Sequence, residues 1–361
     1  MSRAAVALVG GLILAACSAP ASPSTSELPA TPMPSGPASA DALPSVSAPA
    51  SEPAASVEPT WSGHPADGLA VVRPVVPDDP TTEVFIVEAD GSERQVTGVS
   101  NSLGASNPVW SPDGSQLAFN NAAVGGSSFG QVALVNADGS NERKLAEGRD
   151  AQWSPDGSRI VFWESDPVGD TETSMYVLDV ASETVTEIGF GASPRWLPDG
   201  ERISFLRTVT AADGSIANAL YVMPAAGGEA ELVAEETTAY WAPDGSAVLL
   251  EHEGVLSIAA PDFSGQRELV NGFSPVWAPD SQSFVFAYDH DADANPVLAV
   301  SDLDGMTAWS GVSGAVPTWS PDGTRLAVEV YRPEAPVTQV IDVASGTMLY
   351  ELGGRQPAWR P

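Results

Sequence analysis

The chain is short of cations, thiols and imidazoles. Of its 361 residues 15 are Lys or Arg against 47 Asp or Glu, a formal net charge of −32, and Lys144 is the single lysine. With no basic cluster to meet phosphates, nucleic-acid binding is not expected. One cysteine, Cys17, leaves nothing for an internal disulfide. His64, His252 and His290 are all the chain has to offer as neutral-pH general bases. No apolar run reaches the roughly 20 residues of a membrane-spanning helix. What the chain has in excess is acid, an aid to solubility outside the cell and an attraction for cations or a basic partner. Many of the aspartates stand in turns.

The first 16 residues carry one charge, Arg3, and an apolar run from Ala4 to Ala16, the layout of a secretory signal. Leu14-Ala15-Ala16-Cys17 resembles a bacterial lipobox. The resemblance implies cleavage before Cys17 and lipidation of its thiol, with an ordinary signal peptide as the alternative. Several acyl chains at roughly 0.8 kcal/mol per buried methylene make such an anchor permanent. Residues 17–60 are rich in Pro, Ser and Ala and read as a disordered tether. Fully extended at about 3.1 Å per residue, some 40 residues reach roughly 120 Å.

Residues 61–361 are periodic. Trp110, Trp153, Trp196, Trp241, Trp277, Trp319 and Trp359 recur at intervals of 36 to 45 residues, each followed two positions later by proline. A period near 40 signals a blade-type array. After the proline comes Asp-Gly in five copies and Asp280-Ser281 in one, a tight-turn signal. Apolar pairs such as Leu117/Phe119 and Ile160/Phe162 then alternate as in a strand, followed by further runs such as QVALVN and RKLAEG. Four antiparallel strands per unit make a propeller blade. No helical pattern supports a Rossmann or hydrolase domain there. The Trp residues are read as packing wedges, one per blade; Trp163 and Trp309 fall outside the register.

The phrase W-SPDG followed by YV-x-x-ADGS resembles the TolB-type, WD40-like propeller repeat over about 66–361. The resemblance implies an all-β propeller with the Trp segment innermost; nothing matches TolB's separate N-terminal α/β domain. Seven full sets of outer strands predict seven four-stranded blades. RQPAWRP at the C-terminus is expected to supply the first blade's inner strand in preference to the segment around Trp61.

Catalytic signals are weak. Gly126-Ser127-Ser128-Phe129-Gly130 spells a nucleophile elbow, but in a loop between strands rather than between a strand and a helix. Asp289, Asp291, Asp293 and Asn295 alternate as Ca²⁺ ligands do, without the glycine and closing glutamate of an EF-type loop. The loops carrying Asp78, Asp79, Asp166, Asp170, Asp213 and His290 are expected to share one face of the disc with them. The leading expectation is a lipid-anchored, extracytoplasmic, non-catalytic scaffold for an envelope protein or cell-wall ligand. The alternatives are a Ca²⁺-dependent lactonase- or lyase-like propeller enzyme and a cell-wall ligand sensor.

Overall fold

The period-two runs become strands. The computed structural model describes residues 68–76, 81–98, 102–123, 130–164, 173–210, 216–290 and 295–361, all within the unit Val57–Pro361. Among them are strands and turns and no helix, hence no helix long and apolar enough to cross a membrane. The first strands are β1 (Leu69–Pro74), β2 (Thr82–Val87), β3 (Glu93–Gln95), β4 (Ser102–Trp110), β5 (Gln116–Ala123), β6 (Gln131–Asn136) and β7 (Arg143–Glu147). One quartet follows as β8 (Arg149–Trp153), β9 (Arg159–Glu164), β10 (Ser174–Asp179) and β11 (Thr184–Phe190). The next is β12 (Ala192–Trp196), β13 (Arg202–Thr210), β14 (Ile216–Pro224) and β15 (Glu231–Glu235). Then come β16 (Thr238–Trp241), β17 (Val248–His252), β18 (Val255–Ala259) and β19 (Arg267–Asn271). They are followed by β20 (Phe273–Trp277), β21 (Ser283–His290), β22 (Pro296–Asp302) and β23 (Thr307–Ser313). The last are β24 (Ala315–Trp319), β25 (Arg325–Val330), β26 (Val337–Asp342), β27 (Met348–Gly353) and β28 (Arg355–Trp359).

The expectation of seven separate four-stranded blades is corrected. Five four-stranded antiparallel sheets form, one from each quartet, and the remaining eight strands make one sheet ordered β28-β1-β2-β4-β5-β6-β7, with β3 also on β2. The fusion is a parallel contact, Thr82 opposite Gly104. Gly104 makes it possible: a Cβ there would stand 2.6 Å from the Thr82 amide nitrogen and hydroxyl. No feature of the Trp repeat encodes that contact, because β4 runs on through nine residues where the other Trp strands have four or five.

The C-terminal strand does pair with the first: Leu69 faces Trp359 and Ala70 faces Ala358. Arg360 extends the join, its amide donating to Gly68 O at 3.0 Å and its Nε to Gly114 O at 2.7 Å.

Each Trp-x-Pro-Asp-Gly turn is tied by its own side chains. After Trp110, the Asp113 carboxylate accepts from the Ser111 hydroxyl at 2.6 Å and the Ser115 amide at 3.0 Å, while Gly114 takes φ of 66°. Ser154, Asp156 and Ser158 repeat the network, as do Ser320, Asp322 and Thr324. Where glycine is missing, Ser281 takes φ of 59° and its buried hydroxyl accepts from the Asp244 amide of the preceding turn. Apolar clusters fill the space between neighbouring sheets. One joins Val161 and Met175 to Trp196, Ile203 and Phe205. The indoles also latch neighbours: Trp153 Nε1 donates to Val109 O at 3.0 Å, Trp196 to Gln152 O at 3.1 Å, and Trp277 to Tyr240 O at 2.8 Å. Trp110 donates to Ala358 O at 3.1 Å, across the ring closure.

Candidate functional site

The inner strands carry a local device that a simple strand reading does not foresee. Three residues before the Trp, six of them enter the left-handed region: Asn107, Asp150, Ser193, Ser274, Val316 and Gln356, with φ between 48° and 56°. Each coincides with a register shift against the neighbouring strand. Such bulges re-aim side chains. A signal was present in the sequence: Gly148, Gly191, Gly272, Gly314 and Gly354 stand five residues before a Trp. At Gly191 a Cβ would lie 2.3 Å from the Phe205 ring, so the backbone passes where only glycine fits. Strand β16 is the exception. Glu236 replaces the glycine with φ of 53°, and β16 pairs β17 in unbroken register.

Five of these bulges, all but that of Ser274, border a cavity of about 370 Å³ lined by, among others, Asn107, Asp150, Ser193, Arg195, Val316 and Gln356. Its rim is cross-linked. Gln356 Nε2 donates to Asn107 Oδ1 at 2.6 Å and Asn107 N to Gln356 Oε1 at 2.9 Å. Asn107 Nδ2 donates to Asp150 Oδ1 at 3.3 Å, and Trp163 Nε1 to Asp150 Oδ2 at 3.0 Å. Trp163, out of register with the other indoles, thus serves the rim, with the Arg149 guanidinium over its ring. Three of the six bulged amides are capped by the side chain ten residues after the previous Trp. Asp150 N donates to Asn120 Oδ1, Ser274 N to Glu251 Oε2, and Gln356 N to Glu329 Oε2, at 2.9 to 3.1 Å. Tyr240 also donates to Glu251 at 3.0 Å. Burial, then the Glu251 charge, push its phenol well above the usual range, and Arg195 pulls the other way. The lining has no His, Cys or Lys. It offers hydrogen bonds and two charges to a bound molecule, and no nucleophile-base pair.

Of the acidic-loop residues picked from sequence, Asp78, Asp79, Asp166, Asp170, Asp213, Asp291 and Asp293 lie outside the described residues, as do Cys17, the tether and Trp61. The backbone of His290 ends β21; its side chain is outside the description. Asp289 is exposed. Asn295 is buried: Tyr331 N donates to its Oδ1 at 2.7 Å, and its Nδ2 donates to Tyr331 O at 3.4 Å. That carboxamide ties Asn295, the residue before β22, to the residue after β25 in the next sheet.

A different group could hold a metal. Glu236, His252 and Glu253 place one ligand atom each within 4.8 Å of one another, all on exposed residues. His252 Nδ1 lies 2.9 Å from Glu236 O. A carbonyl only accepts, so Nδ1 carries the proton and Nε2 keeps its lone pair for a cation. The sequence signal was the glutamate standing where five of the other six repeats have glycine, beside a two-residue turn, Glu253-Gly254.

No family model matches the chain, and no curated protein sequence matches it. Solved structures do. Puromycin hydrolase matches with a TM-score of 0.57 and 18% identity, over 82% of this chain and 54% of that one. An oligogalacturonate lyase in complex with manganese matches with a TM-score of 0.55 and 15% identity, over 78% and 85%. TolB from Acinetobacter baumannii matches with a TM-score of 0.48 and 14% identity, over 81% and 82%. At these identities the first two likenesses speak for the fold, a β-propeller, and for nothing finer.

Proposed function

We propose that this propeller is a non-catalytic binding scaffold, held outside the cytoplasm by a lipid on Cys17 and engaging an envelope protein or cell-wall ligand at the mouth of its channel. The observation that carries the reading is the cross-linked rim: a preformed concave site with polar groups already aimed and no nucleophile-base pair in its lining. Propellers are rigid frames whose sites, not folds, decide function. A photoreactive residue in place of Ser193 should capture a partner in cells; one in place of exposed Leu232 on an outer strand should not. Equal capture from both positions, or none from Ser193, removes the reading.

The second reading is a metal-dependent propeller enzyme. Glu236, His252 and Glu253 favour it, and an oligogalacturonate lyase of similar fold holds manganese. Titrating Ca²⁺ or Mn²⁺ should then raise the melting temperature, and His252→Ala should abolish the rise. A flat titration with both ions rejects a metal there.

A further inference from the structure

Most cations of the blades are spent. Arg143 pairs with Glu183 at 2.8 Å and Arg332 with Glu351 at 2.6 Å. Arg159 and Arg360 each donate to a glycine carbonyl at 2.7 Å. Arg195 is exposed and lines the rim cavity, and among the described residues none hydrogen-bonds its guanidinium. Arg355 is also without such a bond, but it does not line the cavity. The same cavity holds Asp150, whose two oxygens are fixed by Asn107 and Trp163. A carboxylate has about four acceptor positions, so two remain for a ligand. Pro108, Pro194 and Val316 add apolar surface to the lining.

We propose that the channel mouth binds a free peptide of two or three residues as a zwitterion, its C-terminal carboxylate on Arg195 and its N-terminal ammonium on Asp150. The inference rests on the binding role of this cavity. Three considerations select the ligand. A guanidinium fork matches a carboxylate in a two-bond geometry, which suits Arg195 to that group. A chain of net charge −32 repels a simple anion from solution, whereas a zwitterion has no net charge to repel. The cavity of about 370 Å³ is of the size that takes small molecules, and its prolines and valine suit short aliphatic side chains.

Calorimetry on the full chain tests this with Ala-Ala, its C-terminal amide and its N-acetyl derivative. Ala-Ala should bind, and either blocked form should bind at least about tenfold more weakly, since one charge-assisted contact is lost. Arg195→Gln should weaken Ala-Ala by a similar factor and leave the amide unchanged, because the amide has already lost that contact. Among the described residues no hydrogen bond to the Arg195 guanidinium is lost, so the variant should melt with the wild type; if it does not, the two blocked peptides on the wild type decide alone. No heat from Ala-Ala, or blocked peptides that bind equally well, overturns the proposal. Capture from position 193 that persists despite such a result keeps the binding role and removes only this ligand.

Discussion

At Glu83 and Asp156 burial and hydrogen bonding pull carboxyl groups in opposite directions. Asp156 receives the Ser154 hydroxyl, then the amide and hydroxyl of Ser158, and is held at about 2. Its stabilisation is present above the ordinary value of 3.8 and is lost as pH falls through the folded value. Glu83 is 6% exposed, and desolvation raises it despite the bond from the Thr97 hydroxyl. A raised acid favours the fold below its unfolded value of 4.5, and this contribution is lost as pH rises through the folded value. At neutral pH the buried charge is therefore a cost. Glu83→Gln keeps an acceptor for Thr97 and should melt higher than wild type at pH 7. The difference should shrink toward pH 4. A variant that melts lower at pH 7 contradicts this account.

The latches between inner strands can be tested against an internal control. Trp110 and Trp359 are 6% and 5% exposed, two equivalent wedges. The Trp110 indole donates to Ala358 O, while Trp359 Nε1 has no hydrogen-bond partner among the described residues. Trp→Phe at either site loses similar packing, but only at Trp110 is a partly buried carbonyl left without its indole donor. Trp110→Phe should thus be the more destabilising by about 1 kcal/mol, measured by denaturant unfolding. Equal losses would mean that the indole bond adds nothing net to packing. The Asn120, Glu251 and Glu329 caps belong to this scale too. The bulges of β8, β20 and β28 are satisfied by β5, β17 and β25 of the preceding units, so the unit of construction is a pair of neighbours.

Ring closure is a property of the whole molecule. The edges of β1 and β28 cover each other, and Arg360 fastens the β28 end to Gly68 and Gly114. Deleting residues 356–361 removes a buried Trp, worth about 3–5 kcal/mol in a core, and bares an edge strand that invites aggregation. The truncated protein should melt well below full length and associate in light scattering. Unchanged melting would show that the β1–β28 pairing does not hold the ring.

By itself the sequence determined the strands, the tight turns and the pairing of RQPAWRP with the first strand. Those depend on residues close in the chain: period-two apolar runs, Pro before Asp-Gly, and a Trp phrase whose register persists to Pro361. The tertiary structure alone decided how the sheets are divided, because a single contact between Thr82 and Gly104 joins segments that no periodicity relates. It also decided the site. Asn107, Asp150, Arg195 and Gln356 come from four inner strands, and only ring closure brings Gln356 to Asn107 across 249 residues. The acids of 289–293 stood out in sequence because they alternate within one short stretch. What only the fold shows is that the Asn295 amide pairs with the Tyr331 backbone, 36 residues on.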